Sequence, residues 1–220
     1  MIVNLEFDSK SPFLPTFTIP LNVTTFDEYK ELENLVLSKE QEILSNNKPY
    51  PAHDCNDWLT NRLYSYNLLD YSNEYPVLNK FKKFILDSYT EYCNSMGAPV
   101  ESVYVNCWAN IVRNNGRTIS AHHHADAHID APLDHSYVSG NICINAIDTK
   151  TYYANPFIQK ISYGVKNMPG ELVLFPSWVL HWVDEHKSDI PRVSIAFDIV
   201  TEEVYNLPSK SKNNFRKLNG

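Results

Sequence analysis

Residues 169–181 have the sequence PGELVLFPSWVLH, and residues 192–198 have the sequence RVSIAFD. Pro169 and Gly170 are typical of a turn, and the apolar run 171–175 that follows them predicts a buried strand. In the second stretch apolar and polar residues alternate, which predicts a strand with two different faces. The C-terminal half is therefore expected to be a β-structure.

Two further strands are predicted, over residues 101–111 and roughly 136–147. In the first of them the polar face carries amides and aromatic rings, not Lys and Glu. Such a face suits the interior of a barrel that holds a small polar ligand, and an ordinary outer sheet face is the alternative. Many strands joined by short turns predict a barrel or a sandwich.

The N-terminal half is predicted to be a support region of helices and edge strands, residues 1–100. Residues 1–20 predict one or two short edge strands. Thr25 and Glu28 have the spacing of a capping box, so a helix is expected to begin near Thr25 and to end at 46–49. A second helix is predicted over 76–96, ended by the glycine that follows it.

Composition predicts one soluble domain, 1–220, with a core at 101–202 and a polar, frayed tail at 203–220. Charged residues make up 20% of the chain and the net charge is -7, so nucleic acid is not an expected partner. The four cysteines form no CxxC pair, which favours reduced thiols over a zinc site. No signal peptide or apolar run of membrane-spanning length is visible, and we expect a cytoplasmic protein. The loop 50–74 either packs over the core or covers a site.

Histidines and aspartates are concentrated between residues 122 and 135, where they are His122, His123, His124, Asp126, His128, Asp130, Asp134 and His135. Two imidazoles and one carboxylate bind Fe(II) and leave positions open for further ligands. Side chains two residues apart on an extended segment point the same way. This spacing allows His124 to share an ion with Asp126 or with His122.

The third metal ligand must come from elsewhere in the chain. His181 is the best candidate, because it comes shortly after the buried strand 171–175. His186 and His53 are weaker candidates, since both lie in polar segments.

Arg192 and Ser194 are candidates for holding a dicarboxylate. They lie on one face of the predicted strand 192–198, and a guanidinium in a dry pocket binds a carboxylate through two hydrogen bonds. The alternative for Arg192 is a surface ion pair with Glu185 or Asp189.

The segments 169–181 and 192–197 resemble the C-terminal signature of the Fe(II)- and 2-oxoglutarate-dependent oxygenases. The similarity is closest to small bacterial and phage members related to prolyl hydroxylases. Trp108-Ala109-Asn110, His122-His123-His124 and Ser139-Gly140 resemble earlier segments of the same group. Extra residues, about 127–135, precede the Ser139-Gly140 strand.

This resemblance implies a double-stranded β-helix, a relative of the jelly roll and the cupins. It implies His181 as the distal iron ligand and Arg192, with Ser194 beside it, on the far carboxylate of 2-oxoglutarate. For the remaining ligands the superfamily's usual His-x-Asp/Glu motif favours His124 and Asp126, and this is the pair that we expect, because a carboxylate offsets the charge of the ion and the pairing is the commoner one. The small group's His-x-His motif favours His122 and His124.

The implied reaction uses O₂ to convert 2-oxoglutarate to succinate and CO₂ while a substrate C–H bond is hydroxylated. The substrate is a protein, a peptide such as peptidyl-proline, or a small molecule. Six residues are expected to line the pocket, of which Asn106 and Asn141 are the candidates for cosubstrate binding; the others are Tyr104, Asn145, Trp108 and Trp182. Two alternatives stay open: a cupin-type dioxygenase with three His ligands and no 2-oxoglutarate, and a barrel that only binds a ligand.

Overall fold

The computed structural model describes residues 1–8, 12–13, 16–46, 67–113, 117–125, 137–145, 148–158, 160–207 and 214–219, without the side chains of 41–46 and 117–118. These residues form a seven-stranded sheet and a four-stranded sheet, both antiparallel. The helices pack on the outer face of the larger sheet. The architecture is that of a double-stranded β-helix with N-terminal helices, as predicted.

The larger sheet contains all the strands that the sequence predicted. In spatial order it consists of β1 (Ile2–Phe7), β2 (Phe17–Thr25), β8 (Glu171–Pro176), β5 (Val138–Cys143), β10 (Arg192–Thr201), β3 (Val103–Val112) and β11 (Arg216–Lys217). β1 lies at the edge, as predicted for the N-terminus, whereas β2 is an interior strand that joins β1 to β8.

The smaller sheet was not predicted from the sequence. In spatial order it consists of β4 (Arg117–His122), β9 (His181–His186), β6 (Lys150–Ala154) and β7 (Ser162–Lys166). Its strands lack a sustained apolar alternation, since β9 reads HWVDEH and most of β7 is exposed. Pairing with neighbouring strands, and not local sequence pattern, therefore decides their conformation.

The first helix, α1 (Tyr29–Asn46), begins four residues later than predicted. Thr25 is the last residue of β2, and the N–H of Phe26 donates to the carbonyl of Gly170 at 2.8 Å. Glu28 accepts a hydrogen bond from Lys80 at 2.8 Å. Thr25 is therefore paired in the sheet and the Glu28 side chain binds Lys80, so the two residues do not form the expected capping box. The helix ends where it was predicted to end.

The second helix, α2 (Pro76–Met96), has the predicted bounds, with Gly97 in the left-handed region at φ 65°. Its apolar stripe is buried and consists of Leu78, Phe81, Ile85, Tyr89 and Tyr92. The ring of Phe81 lies 6.5 Å from that of Phe197 on β10. This stripe covers the apolar face of the larger sheet.

The opposite face of the larger sheet is polar and buried, and it looks toward the smaller sheet. Asn106 and Asn110 of β3 and Ser194 of β10 are buried. Their neighbours in sequence, such as Val105 and Ile195, lie in the helix-covered core. The amide and aromatic face predicted for β3 is thus the inside of the barrel.

The C-terminal residues that the structure describes are not frayed, contrary to the prediction for 203–220. α3 (Glu202–Asn206) follows β10 directly, and β11 pairs with β3. Arg216 makes two hydrogen bonds to Asp70, of 2.5 and 2.8 Å. Leu218 is buried.

Cys93, Cys107 and Cys143 are buried free thiols, in agreement with the reading of the cysteines, and Cys55 lies outside the described residues. None of the described helices combines the length and the apolar character needed to cross a membrane.

Gly140 of β5 is expected to tolerate no side chain. A Cβ there would lie 2.3 Å from Cζ of Phe197 and 2.7 Å from Cδ2 of Leu174, both in the core. We expect Gly140→Ala to lower the free energy of unfolding by about 1–3 kcal/mol, because buried rings must shift. Urea denaturation measures this loss.

Gly164→Ala is the matched control. Its Cβ would lie 2.8 Å from Cε1 of Tyr152, whose ring is only half-buried and can move away. An equal loss of stability in both variants would contradict the expectation that close packing against Phe197 and Leu174 excludes a side chain at Gly140.

Candidate metal centre

Three imidazoles meet at one end of the barrel. His122 is the last residue of β4, His124 follows two residues later, and His181 is the first residue of β9. One ligand atom from each of these residues lies within 4.8 Å of those of the other two. The ring centroids are 4.4 Å apart for His122 and His181, 5.0 Å for His122 and His124, and 5.2 Å for His124 and His181.

A register shift in β4 brings His122 into this group. Ile119 pairs with Val183, so a regular ladder would place Ala121 opposite His181. An additional residue on β4 places His122 there instead. A β-bulge re-aims side chains in this way and is common next to functional sites.

Hydrogen bonds at Nδ1 orient all three rings. Nδ1 of His122 donates to the carbonyl of Ser120 at 2.7 Å, and Nδ1 of His181 donates to that of Val179 at 2.9 Å. Nδ1 of His124 lies 3.1 Å from the carboxylate of Asp198. Because these acceptors hold the proton on Nδ1, Nε2 is the ring atom that carries the lone pair with which an imidazole binds a metal ion.

Aromatic rings surround the imidazoles. The ring centroid of Phe175 lies 4.7 Å from that of His181, and Trp108 lies 6.0 Å from His124. Tyr153 lies 6.3 Å from His181 and contacts Phe175 edge-on at 5.4 Å. Trp108, a predicted wall residue, therefore lies beside the three imidazoles.

Arg192 lies inside the barrel at the start of β10, only 2% exposed. Its Nε and Nη2 have no hydrogen-bond partner among the described residues. Within the same part of the chain it forms no ion pair, so neither Glu185 nor Asp189 neutralises it there. Burial lowers the pKa of this guanidinium from its ordinary value.

Asp184 and the Cys143 thiol act on this guanidinium only through longer-range electrostatics, since neither forms an ion pair or a hydrogen bond with it among the described residues. Cys143 pairs with Ser194 across the sheet, and burial raises the pKa of its thiol to about 11. The thiol is therefore neutral at pH 7. An anionic ligand is the natural partner for a guanidinium in this position.

Other polar groups on the same interior face are also unpaired among the described residues. They are the hydroxyl of Ser194 and the amide oxygens of Asn106, Asn110 and Asn141. Asn106 and Asn141 were predicted pocket residues. Asn110 was not predicted to be a pocket residue, and the structure places it opposite Ser194. The sequence did hold a signal for it, because residues four apart on a strand, such as Asn106 and Asn110, lie on the same face.

Asn145 has a different role from the one predicted, because its amide is fully engaged. Its Oδ1 accepts from the N–H of Val193 at 2.8 Å, and its Nδ2 donates to the carbonyl of Pro191 at 2.8 Å. Nδ2 also donates to Glu33 of α1 at 2.7 Å. Asn145 therefore clamps the backbone on both sides of Arg192 and does not point its amide at a ligand.

Two more predicted pocket residues lie elsewhere. Trp182 alternates with the inward-facing His181 and Val183, and its ring stacks on Tyr152 at 5.4 Å. Tyr104 stacks on Tyr205 of α3 at 3.7 Å. Neither residue lines the metal centre.

The other candidate metal ligands either lie outside the described residues or lie apart from the three imidazoles. Asp126 and the insertion 127–135 lie outside the described residues, as do His53 and the part 50–66 of the loop. His186 is buried, and its Nε2 donates to the carbonyl of Ile190 at 2.8 Å, apart from the three-imidazole group.

Residues 106–198 match the family described as "Putative 2OG-Fe(II) oxygenase". The match begins at Asn106 and ends at Asp198, which are opposite each other on β3 and β10. No curated protein gives a significant match.

Solved structures with the same fold include three prolyl hydroxylases. One, from Trichoplax adhaerens in complex with a hypoxia inducible factor peptide fragment, has a TM-score of 0.57 and 14% identity, covering 86% of this chain and 87% of that one. The Pseudomonas putida prolyl-4-hydroxylase has a TM-score of 0.55 and 12% identity, and the match covers 83% of this chain and 92% of that one. The viral collagen prolyl hydroxylase of Paramecium Bursaria Chlorella virus-1, in a 2OG complex, has a TM-score of 0.52 and 14% identity, and the match covers 81% of this chain and 94% of that one.

The three-imidazole group predicts stabilisation by a divalent transition metal. We expect Co(II) to raise the melting temperature of the metal-free protein, because an ion that binds only the folded state stabilises it. His122→Ala, His124→Ala and His181→Ala should each remove most of this rise, measured by differential scanning fluorimetry. His123→Ala is the control, since His123 does not belong to the group.

The same measurement separates the two ligand sets. If His122→Ala keeps the stabilisation and Asp126→Ala removes it, the ligands are His124, Asp126 and His181.

Proposed function

We propose that this protein, whose residues 106–198 match the family of 2-oxoglutarate- and Fe(II)-dependent oxygenases, hydroxylates a peptide substrate with His122, His124 and His181 as iron ligands. In this proposal Arg192 and Ser194 bind the distal carboxylate of 2-oxoglutarate. The observation that carries it is the buried, unpaired guanidinium of Arg192 inside the same barrel as the three imidazoles.

The argument from Arg192 is energetic. A buried cation without a counter-ion costs several kcal/mol, and its N–H groups lose their water hydrogen bonds as well. A carboxylate in the barrel removes both costs through paired hydrogen bonds. Ser194 lies two residues further on the same face and adds an unpaired hydroxyl that can donate to the same ligand.

The donor set fits Fe(II). Imidazole nitrogen is a suitable ligand for this ion, and three ligands from the protein leave positions open for the cosubstrate and O₂. When bound, iron with 2-oxoglutarate and O₂ supplies the oxidising power for hydroxylation, with release of succinate and CO₂. Asp126 remains the alternative to His122, because two imidazoles and a carboxylate form the commoner set.

The chain's own residues supply orientation and a dry environment. The Nδ1 hydrogen bonds of His122 and His181 fix both rings, and the rings of Trp108 and Phe175 limit access of water. Asn106, Asn110 and Asn141 offer amide groups along the interior face between Arg192 and the imidazoles. We assign Asn106 and Asn141 to the cosubstrate or to the substrate beside it.

A peptide substrate is supported by a group of neighbouring aromatic rings that are partly exposed. Trp178, three residues before His181, is 46% exposed and lies 5.9 Å from the ring of Phe17. Phe157, 60% exposed, contacts Phe17 edge-on at 6.1 Å. Aromatic surfaces of this kind bind extended, proline-containing segments, and one fold neighbour was solved with a peptide.

The spectrum of the anaerobic protein with Fe(II) and 2-oxoglutarate tests the cosubstrate. We expect a weak visible charge-transfer band that needs both components and is absent in His181→Ala. Titrating the band with 2-oxoglutarate should give a dissociation constant about 10- to 100-fold weaker for Arg192→Gln, because hydrogen bonds to a charged group are lost.

Arg113→Gln is the matched control for that titration. Arg113 follows β3 and is bound to the carboxylate of Glu40, so it has its counter-ion already. Its loss should leave 2-oxoglutarate binding unchanged. Equal weakening in both variants would contradict the assignment of Arg192.

The three-imidazole group is also what a cupin-type dioxygenase without 2-oxoglutarate requires. Iron binding without the band, and turnover without succinate, would favour that enzyme. Absence of iron binding would favour a barrel that only binds a ligand.

The substrate is tested with proline-containing peptides under turnover conditions. We expect a peptide substrate to gain one oxygen atom by mass spectrometry and to increase succinate formation. Trp178→Ala should raise the peptide KM and leave the 2-oxoglutarate KM unchanged. A small-molecule substrate is indicated if no peptide in a broad panel is oxidised while a metabolite mixture increases succinate formation.

A further inference from the structure

We propose that Asp198 is a positioning residue that orients His124 and supplies the negative charge that a ligand set of three imidazoles lacks. This inference rests on the proposed function, in which His124 binds the metal ion. Nδ1 of His124 lies 3.1 Å from the carboxylate of Asp198. Both side chains are nearly buried, 13% exposed for His124 and 14% for Asp198.

Asp198 is held in place from a neighbouring strand. Ser139 of β5 lies opposite it, and the Ser139 hydroxyl donates to Oδ1 of Asp198 at 2.7 Å. The Ser139 and Ser177 hydroxyls are 2.8 Å apart. Ser177 belongs to the segment between β8 and β9, and its carbonyl accepts the N–H of His124 at 2.9 Å.

These bonds form a closed ring that grips His124 twice. This cycle of hydrogen bonds runs from the imidazole of His124 to Asp198, then to Ser139 and Ser177, and back to the backbone N–H of His124. It connects the central strand β10, its neighbour β5 and the segment before His181. The orientation of one imidazole therefore depends on three separate parts of the barrel.

The direction of every bond follows from the chemistry of the groups. An ionised carboxylate only accepts, so His124 and Ser139 both donate to Asp198. Ser139 has then used its single proton, so Ser177 must donate to Ser139. The chain of donors ends on Asp198, which fixes the proton of His124 on Nδ1 and leaves Nε2 free toward His122 and His181.

The charge of Asp198 also compensates for the neutral ligand set. In the common arrangement of two imidazoles and a carboxylate, the negative charge contacts the metal ion directly. Three neutral imidazoles bring none, and Asp198 supplies it through the His124 ring. A carboxylate bonded to a ligating imidazole increases the basicity of that ligand.

Co(II) binding tests this role without any need for turnover. We expect Asp198→Asn, which keeps the size of the side chain and removes its charge, to weaken Co(II) binding about 10- to 100-fold. The visible spectrum of bound Co(II) should change as well, because the His124 ring is no longer held in one orientation. Titrations monitored by absorbance measure both quantities.

Asp184→Asn is the matched control. Asp184 lies on β9 and accepts a hydrogen bond from the N–H of Lys150 at 2.6 Å, outside the imidazole group. Like Asp198→Asn, this substitution removes one negative charge, but the residue that it changes is not bonded to any of the three imidazoles. We expect its Co(II) affinity and spectrum to match those of the wild type.

Ser139→Ala gives a second measurement that does not depend on the folding of Asp198→Asn. It removes one of the two bonds to Asp198 and should weaken Co(II) binding less than Asp198→Asn does. Unchanged affinity and spectrum in both variants would overturn the role of Asp198 and leave the metal centre intact. If the wild-type protein does not bind Co(II), the metal centre itself is wrong, and the role of Asp198 falls with it.

Discussion

The two-residue alternation of β10 is the constraint on which the rest of the structure depends. β10 lies between β5 and β3, so both of its backbone edges are paired. Val193, Ile195 and Phe197 pack into the core beneath the helices. Arg192, Ser194 and Asp198 consequently face the barrel interior, since successive side chains on a strand point to opposite sides. A single strand thus anchors the core and carries both the proposed carboxylate site and the support of His124.

Burial makes this polar interior energetically expensive. Arg192, Ser194 and three asparagines carry groups without partners among the described residues. Proteins rarely leave so many buried polar groups unpaired on one face, because each costs about 1–3 kcal/mol. The cost is offset when a polar ligand fills the barrel, which connects the stability of this region to its proposed function.

The proposed metal centre depends on contacts between the two sheets. His122 and His181 belong to the smaller sheet, while Asp198, which orients His124, belongs to the larger one. Helix α1 contributes from outside, because Glu33 fixes Asn145 and Asn145 clamps the backbone around Arg192. Substitutions far from the imidazoles can therefore change the site without touching a ligand.

Local sequence by itself determined β3, β5, β8 and β10 of the larger sheet, the helix Pro76–Met96 and the candidates His181, Arg192 and Ser194. The apolar run 171–175 and the period-two alternation in 192–198 are local signals for strands, and the apolar stripe of 76–96 with its terminal glycine is a local signal for a helix. Tertiary structure alone decided the smaller sheet, the start of α1 and the meeting of His122 with His124 and His181. A bulge in β4, the pairing of Thr25 with Glu171 and the bond between His124 and Asp198 join residues far apart in the chain. Such contacts form only when strands from both sheets come together, and local sequence patterns do not encode them.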